Sequence, residues 1–169
     1  NIERKSLYNN LKSKKGLNNK WIESLNLELN IEKINFNSPK IQRIIQLFNR
    51  TNQFTLSGSR YSNKSFNQIL VDGNIYYYGE AIDRLGCEGL ISVLGFCFND
   101  DYIMVNDFIV SCRVFGRYIE ETMLLPLFEY AIDKNYGINF QFVDTKRNVV
   151  IKNFLKKISN NKLSLSTSQ

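Results

Sequence analysis

The chain contains no histidine. That absence removes Ser-His-Asp and Cys-His relays from its chemistry, together with every imidazole metal ligand. Cysteine is scarce as well. Cys87, Cys97 and Cys112 are odd in number and too scattered for CxxC zinc spacing, which argues against a disulfide framework or a zinc ribbon and leads to the expectation of a reducing, cytoplasmic setting. Long apolar runs are missing: the longest, near residues 91–98 and 108–110, fall far short of a membrane span, and the polar amino end lacks the apolar core of a signal peptide. No internal repeat or low-complexity stretch interrupts the 169 residues.

What is present suits one folded domain. A chain of 169 residues with 43% hydrophobic, 13% aromatic and 22% charged content buries roughly 70% of its unfolded surface without disulfides or metals. The net charge of +6 suits an anionic partner, which leaves nucleic acid, a phosphate-bearing cofactor and an acidic protein open. The run Tyr76-Tyr77-Tyr78 would make a base-stacking platform only if all three rings shared a face. In a strand only alternate residues do, so packing is preferred and neither nucleic acid nor membrane is expected as partner. The lysines Lys152, Lys156 and Lys157 read as the solvated side of a helix.

Residues 2–11 and 18–25 carry helical spacing broken at 12–16, the pattern of helices linking to an upstream unit, so that a domain proper is expected over 26–169. Strict alternation over residues 25–31 predicts a first strand. Ser38 and Pro39 supply a cap and first-turn proline for an amphipathic helix through Ile41, Ile44, Ile45 and Phe48. A polar loop, a short helix over 63–70 and an Asp72-Gly73-Asn74 turn lead to strands at 75–82, 89–98 and 102–111, the last two forming an antiparallel hairpin. Beyond Gly116 the period changes to that of a long helix reaching Lys134, with Pro126 inside it as a kink. A strand at 138–143 and a helix at 148–157 follow, and residues 159–169 are either a final edge strand through Leu163 and Leu165 or a disordered tail. The fold class is α+β with a mixed central sheet flanked by helices.

The chemistry concentrates at Ser111-Cys112-Arg113-Val114-Phe115-Gly116-Arg117-Tyr118, where a strand passes through a glycine turn into a helix. That geometry offers unpaired amides and the positive end of a helix to an anion. Arg113 and Arg117 add full charges. The alternative is an ordinary solvated turn. Cys112 stands between two readings, a thiol activated by its neighbour Arg113 and the following helix, and a small packing residue; Cys87 and Cys97 read as packing. Asp107, in a strand apolar on both faces, is a base candidate that needs a partner. Asn52 and Gln53 offer amides to a polar acyl group or else cap the helix before them, and Arg60 and Tyr61 either bind an anion or pair on the surface.

The pattern R-x-x-G-x-(G/A), here Arg113 to Tyr118, resembles the pyrophosphate-binding loop of GNAT acyltransferases, with Tyr118 in place of a small residue. Read in order, TNQF (Thr51, Asn52, Gln53, Phe54), SRYS at 59–62, DRLGCEGLIS at 83–92 and SCRVFGRYIEE at 111–121 resemble the carboxyl-terminal GNAT-like domain of the FkbH-like family. That resemblance covers about residues 30–157 and implies a GNAT-like fold, a HAD-type phosphatase domain upstream of Asn1, and transfer of a glyceryl thioester to an acyl carrier protein. It further implies that the loop Ser111, Arg113, Val114, Phe115, Gly116, Arg117 and Tyr118 holds the phosphate of phosphopantetheine or coenzyme A without metal. The arm would enter where the strand ending at Ser111 splays from the strand at 138–143, and a strand N–H near Ser111 would polarise the thioester carbonyl. Cys112 and Asp107 would be catalytic, and Asn52, Gln53, Arg60 and Tyr61 would meet the substrate. Besides Tyr118, the chain departs from the family pattern in three places. Leu155 stands where a tyrosine is usual and cannot protonate a leaving thiolate, Thr55 replaces the commoner asparagine, and Asn106 followed by Asp107 shifts the acidic residue by one place.

Overall fold

The computed structural model describes residues 26–84 and 86–159. The spacings at residues 2–25 and most of the tail lie outside these. In chain order the elements are β1 (Glu28–Lys33), α1 (Ile41–Arg50), α2 (Asn63–Val71), β2 (Ile75–Asp83), β3 (Gly86–Phe98), β4 (Tyr102–Val110), a 3₁₀ turn (Cys112–Val114), α3 (Ile119–Thr122), α4 (Leu125–Lys134), β5 (Gly137–Phe140) and α5 (Val149–Ile158). The five strands form one sheet in the order β1-β2-β3-β4-β5. The first four run antiparallel and β5 joins β4 in parallel, because the α3–α4 crossover returns the chain to the sheet edge in the same sense.

Each sheet face buries its own core. On one side α1 sets Ile41, Ile44, Leu47 and Phe48 at helical spacing against Tyr76, Tyr78, Val93 and Ile109, with Phe66 of α2 beside them. On the other, Leu127 and Ala131 of α4 and Ile151 and Leu155 of α5 pack on Leu94, Phe96, Val105 and Phe108. Leu155 is 1% exposed, so the residue standing at the usual tyrosine position is core. Ser62 begins α2 with a capping box, its hydroxyl accepting from Ser65 N.

Two local expectations are corrected. The helix before Lys134 is not continuous: α3 stops at Thr122 and Pro126 is the second residue of a new helix. A proline at 126 has no N–H to give the Thr122 carbonyl, so the chain breaks at 123–124 and restarts with the proline where its missing donor costs nothing. Ser38 is not the cap of α1. The capping position is Lys40, and Ser38 Oγ accepts from Lys40 N at 3.3 Å in the preceding turn.

One irregularity matters for the site. Gly95 faces Asp107 and Phe96 faces Val105, so Asn106 is an extra residue in β4. This bulge reverses the alternation and turns Asp107 toward α1 and α2 rather than toward the α4–α5 core.

Candidate functional site

At the carboxyl end of β4 the structure opens a cavity of about 780 Å³. Helix α1 supplies Arg43, Gln46, Leu47 and Arg50 to its wall, and the loop that follows supplies Thr51, Asn52 and Gln53. Ser111, Cys112 and Arg113 come from the end of β4 and the 3₁₀ turn, and Arg147 from the loop ahead of α5. Four of these side chains are guanidinium groups, and among the described residues no aspartate or glutamate lines the space. Arg43 and Arg50, seven residues apart, stand two turns apart on one helix face. Nothing in the sequence reading singled out Arg43, Arg50 or Arg147; the seven-residue arginine spacing in α1 was the visible signal.

The sequence-predicted residues divide. Asn52, Gln53, Ser111, Cys112 and Arg113 meet at the cavity. Cys112 is exposed, so the packing reading fails for it, and Cys87 is exposed as well. Arg113 Nε donates to Ser111 Oγ at 3.3 Å and its Nη2 to the Glu88 carbonyl at 3.4 Å. Val114 and Phe115 turn inward: Val114 is fully buried, and the Phe115 ring lies 5.7 Å from that of Phe54. They are core residues rather than ligand contacts.

Arg117 corrects the expectation most sharply. It is 3% exposed, pairs with Asp83 at 3.0 Å and Glu88 at 3.5 Å, and donates to the Arg113 carbonyl at 3.2 Å. A guanidinium so committed ties the turn to the β2–β3 hairpin and is not available to a phosphate. The Gly116 amide is taken too, donating to Glu120 Oε1 at 3.1 Å. Glu120 is 7% exposed with Oε2 unpartnered, and burial pushes its carboxyl above the ordinary range. The turn has already satisfied its glycine amide with the chain's own carboxyl. Tyr118 sits at φ 61, a left-handed conformation that a small residue would adopt more cheaply.

Asp107 is a staple. At 1% exposure its Oδ2 accepts from the hydroxyls of Tyr61 and Tyr76, each at 2.6 Å, and its Oδ1 from Ser57 at 3.0 Å. Gly95, opposite Asp107, makes room for Tyr76: a Cβ there would lie 2.2 Å from the ring. Burial first, then the Asp107 charge, pushes the Tyr61 phenol up to about 12, and burial raises Tyr76 as well. No oxygen of this carboxylate is left for a substrate proton, so the base assignment is corrected. Arg60 is also structural, donating to the Phe48 and Thr51 carbonyls at the end of α1 and to Asn52 Oδ1 at 2.6 Å. Helix capping therefore falls to Arg60, and the Asn52 amide group remains to donate.

The edge of β4 decides how a ligand can approach. Pairing with β5 ends at Val105 opposite Phe140. Past that point Phe54, Thr55 and Leu56 fill the gap. Leu56 N donates to the Phe108 carbonyl at 3.0 Å, Val110 N to the Phe54 carbonyl at 3.2 Å, and Val143 N to the Leu56 carbonyl at 3.0 Å. Asn148 Nδ2 locks the insert by donating to the carbonyls of Thr55 at 2.9 Å and Val143 at 2.8 Å.

The sheet order, the parallel β4–β5 pair and the turn after β4 together identify the architecture. The fold is that of the GNAT acetyltransferases. Glucosamine-6-phosphate N-acetyltransferase from Arabidopsis thaliana superposes with a TM-score of 0.55 at 13% identity, over 84% of this chain and 97% of that one. An aminoglycoside acetyltransferase from an uncultured soil metagenomic sample gives 0.52 at 16% identity, over 83% and 91%. Ribosomal-protein-alanine N-acetyltransferase from Brucella melitensis gives 0.51 at 11%, over 84% and 95%. No family model matches the chain, and no curated protein matches it in sequence.

Within this fold the expected arm groove between β4 and β5 does not fit a ligand. Phe54 and Leu56 are 1% and 0% exposed and belong to the core, so the insert is part of the fold rather than a cover over it. The amide at 110 is bonded to Phe54, and Ser111 N donates to the Ile91 carbonyl at 2.8 Å. The strand N–H expected to polarise a thioester is occupied. The arginine cavity does fit an anionic arm, in size and in sign of charge. Among the described residues no group of three or more potential ligands gathers as a metal site, and no helix is long and apolar enough to cross a membrane.

Proposed function

We propose that this chain is the GNAT-fold module of an FkbH-like acyltransferase, and that it receives the phosphopantetheine arm of an acidic acyl carrier protein at the arginine cavity. The acyl group in this reading is glyceryl or a close relative, and coenzyme A presents the same arm as a small molecule. The observation that carries the proposal is the cavity at the end of β4, whose wall brings together Arg43, Arg50, Arg113, Arg147, Asn52, Gln53 and the exposed Cys112. Guanidinium groups suit phosphate oxygens, and primary amides suit hydroxyls of a polar acyl group. The charge of +6 steers an acidic carrier toward this face. Among the described residues Cys112 is the one thiol on the cavity wall. In a thioester exchange its Sγ would take the acyl group from a donor thioester, which leaves as a thiol, and the arm's thiol would then attack that acyl carbonyl, releasing Cys112 as the thiol with the displaced proton.

A second reading keeps the partner and drops the chemistry: the domain docks the carrier protein, or an upstream phosphatase domain, without transferring anything. The filled β4 edge and the buried Leu155 favour it. Titration with pantetheine, coenzyme A, and apo and holo carrier protein separates the two. Tighter binding of the holo form supports arm recognition, whereas equal affinity for apo and holo forms supports docking alone. Intact-mass analysis after incubation with a glyceryl thioester, native chain against Cys112→Ser, tests the thiol. An adduct that survives the substitution removes Cys112 from the reaction.

A further inference from the structure

We infer that Arg43, Arg50, Arg113 and Arg147 form a phosphate site on the α1 side of β4, sharing only Arg113 with the 113–118 turn, and that it selects a phosphate ester bringing a second fixed negative charge. This deepens the function proposed above and relies on it for the identity of the arm, not for the existence of the site.

Arg117 is paired with Asp83 and Glu88, Lys40 with Glu80, Lys152 with Asp144 and Lys157 with Glu121. Among the described residues, no ion pair uses the four arginines of the cavity and no carboxylate lines its wall. Like charges gathered around one concave space repel, and an anion within it relieves the repulsion. Two of the four guanidinium groups are also held in place, and so is the loop of a third. Arg43 Nη1 donates to Gln46 Oε1 at 3.0 Å, one turn along the same helix face. Arg113 is tethered to Ser111 and Glu88 as described. Arg147 stands on a loop fixed by Thr145 N donating to Asn148 Oδ1 at 3.0 Å and Lys146 N to Asp144 Oδ1 at 2.8 Å. The buried amide of Asn148 thus joins the Arg147 loop to the Phe54–Leu56 insert that closes the β4 edge, so both features come from one anchor.

The number of charges sets the ligand class. A phosphodiester carries one negative charge and leaves most of the quartet unneutralised. A pyrophosphate, a terminal phosphate monoester, or a phosphodiester delivered beside an acidic side chain of its carrier supplies the second. The cavity volume of about 780 Å³ lies within the usual range for small-molecule sites, about 300–1,000 Å³. Gln46, Asn52 and Gln53 remain to meet uncharged polar groups beside the phosphate.

The test is calorimetric titration of the intact chain at low and moderate salt with pantetheine, 4′-phosphopantetheine, inorganic pyrophosphate, coenzyme A and a holo carrier protein. The variants are Arg43→Gln, Arg147→Gln and, as a surface control, Lys64→Gln, each checked by circular dichroism. The expectation is no binding of pantetheine and salt-sensitive binding of the charged ligands. Arg43→Gln and Arg147→Gln should each weaken it about ten-fold while Lys64→Gln leaves it unchanged. Coenzyme A outbinding the carrier identifies the free cofactor as source of the arm, and the reverse identifies the carrier. Native-like affinity in folded Arg43→Gln and Arg147→Gln overturns the inference and removes the arginine cavity as the arm's site, whereas a preference for holo over apo carrier that survives in these variants keeps arm recognition by the chain. Arginine-dependent binding of pyrophosphate with no binding of any pantetheine-bearing ligand supports the anion site and overturns the proposed function.

Discussion

Replacement of Asp107 separates a structural staple from a general base. Its carboxylate is buried and accepts three hydroxyls, from Tyr61, Tyr76 and Ser57. An asparagine has the same shape and can turn its carbonyl oxygen to the two tyrosines and its NH₂ to Ser57, whose hydroxyl then donates to Ser59, 2.6 Å away. All three contacts survive as neutral bonds, each weaker than its charged version by about 1 kcal/mol, and part of that is returned because no charge is buried. Asp107→Asn should therefore cost about 1–2 kcal/mol. Asp107→Ala strands the Tyr76 and Tyr61 hydroxyls and should cost about 3–4 kcal/mol. Urea denaturation of the native chain and both variants at 25 °C gives these differences from midpoints at constant slope. Ligand affinity measured on folded Asp107→Asn should stay close to native, since the loop carrying Thr51, Asn52 and Gln53 keeps its anchor. An Asp107→Asn chain as stable as the native one yet unable to transfer an acyl group would falsify the staple and restore the base.

The tyrosines make a pH prediction. With Tyr61 at about 12 in the folded chain and near 10 unfolded, its contribution to stability is complete below pH 10 and is lost as pH rises through 12. The stability gap between native and Tyr61→Phe chains should narrow over that window in alkaline denaturation curves, and a constant gap refutes the reasoning. Arg117→Met leaves the buried Asp83 carboxylate without the guanidinium 3.0 Å away and should cost about 3–5 kcal/mol. Adding Asp83→Asn should recover part of the loss in a double-mutant cycle. Gly95→Ala puts a Cβ 2.2 Å from the Tyr76 ring and should cost about 1–3 kcal/mol, with a tyrosine absorbance shift reporting the broken contact to Asp107.

Periodicity by itself determined most of the architecture. The alternation near β1, the apolar spacing of α1, the Asn99-Asp100-Asp101 hairpin tip and the turn after β4 each follow from local sterics and burial, which act over a few neighbouring residues. So does the amide-rich loop at Asn52 and Gln53, and with it three of the eleven residues that line the cavity among those described. Tertiary packing decided the chemistry. No local pattern shows that an extra residue at Asn106 turns Asp107 onto two tyrosines, or that Phe54 and Leu56, remote in sequence from β4, take the hydrogen bonds of its free edge. The same holds for the arginines. Arg113 and Arg117 look equivalent along the chain, but Asp83 lies within reach of only one, and Arg147 joins Arg43 and Arg50 because Asn148 fastens its loop to the inserted segment. Which cations are neutralised and which face a cavity depends on partners from other elements, and only the folded arrangement brings those partners together.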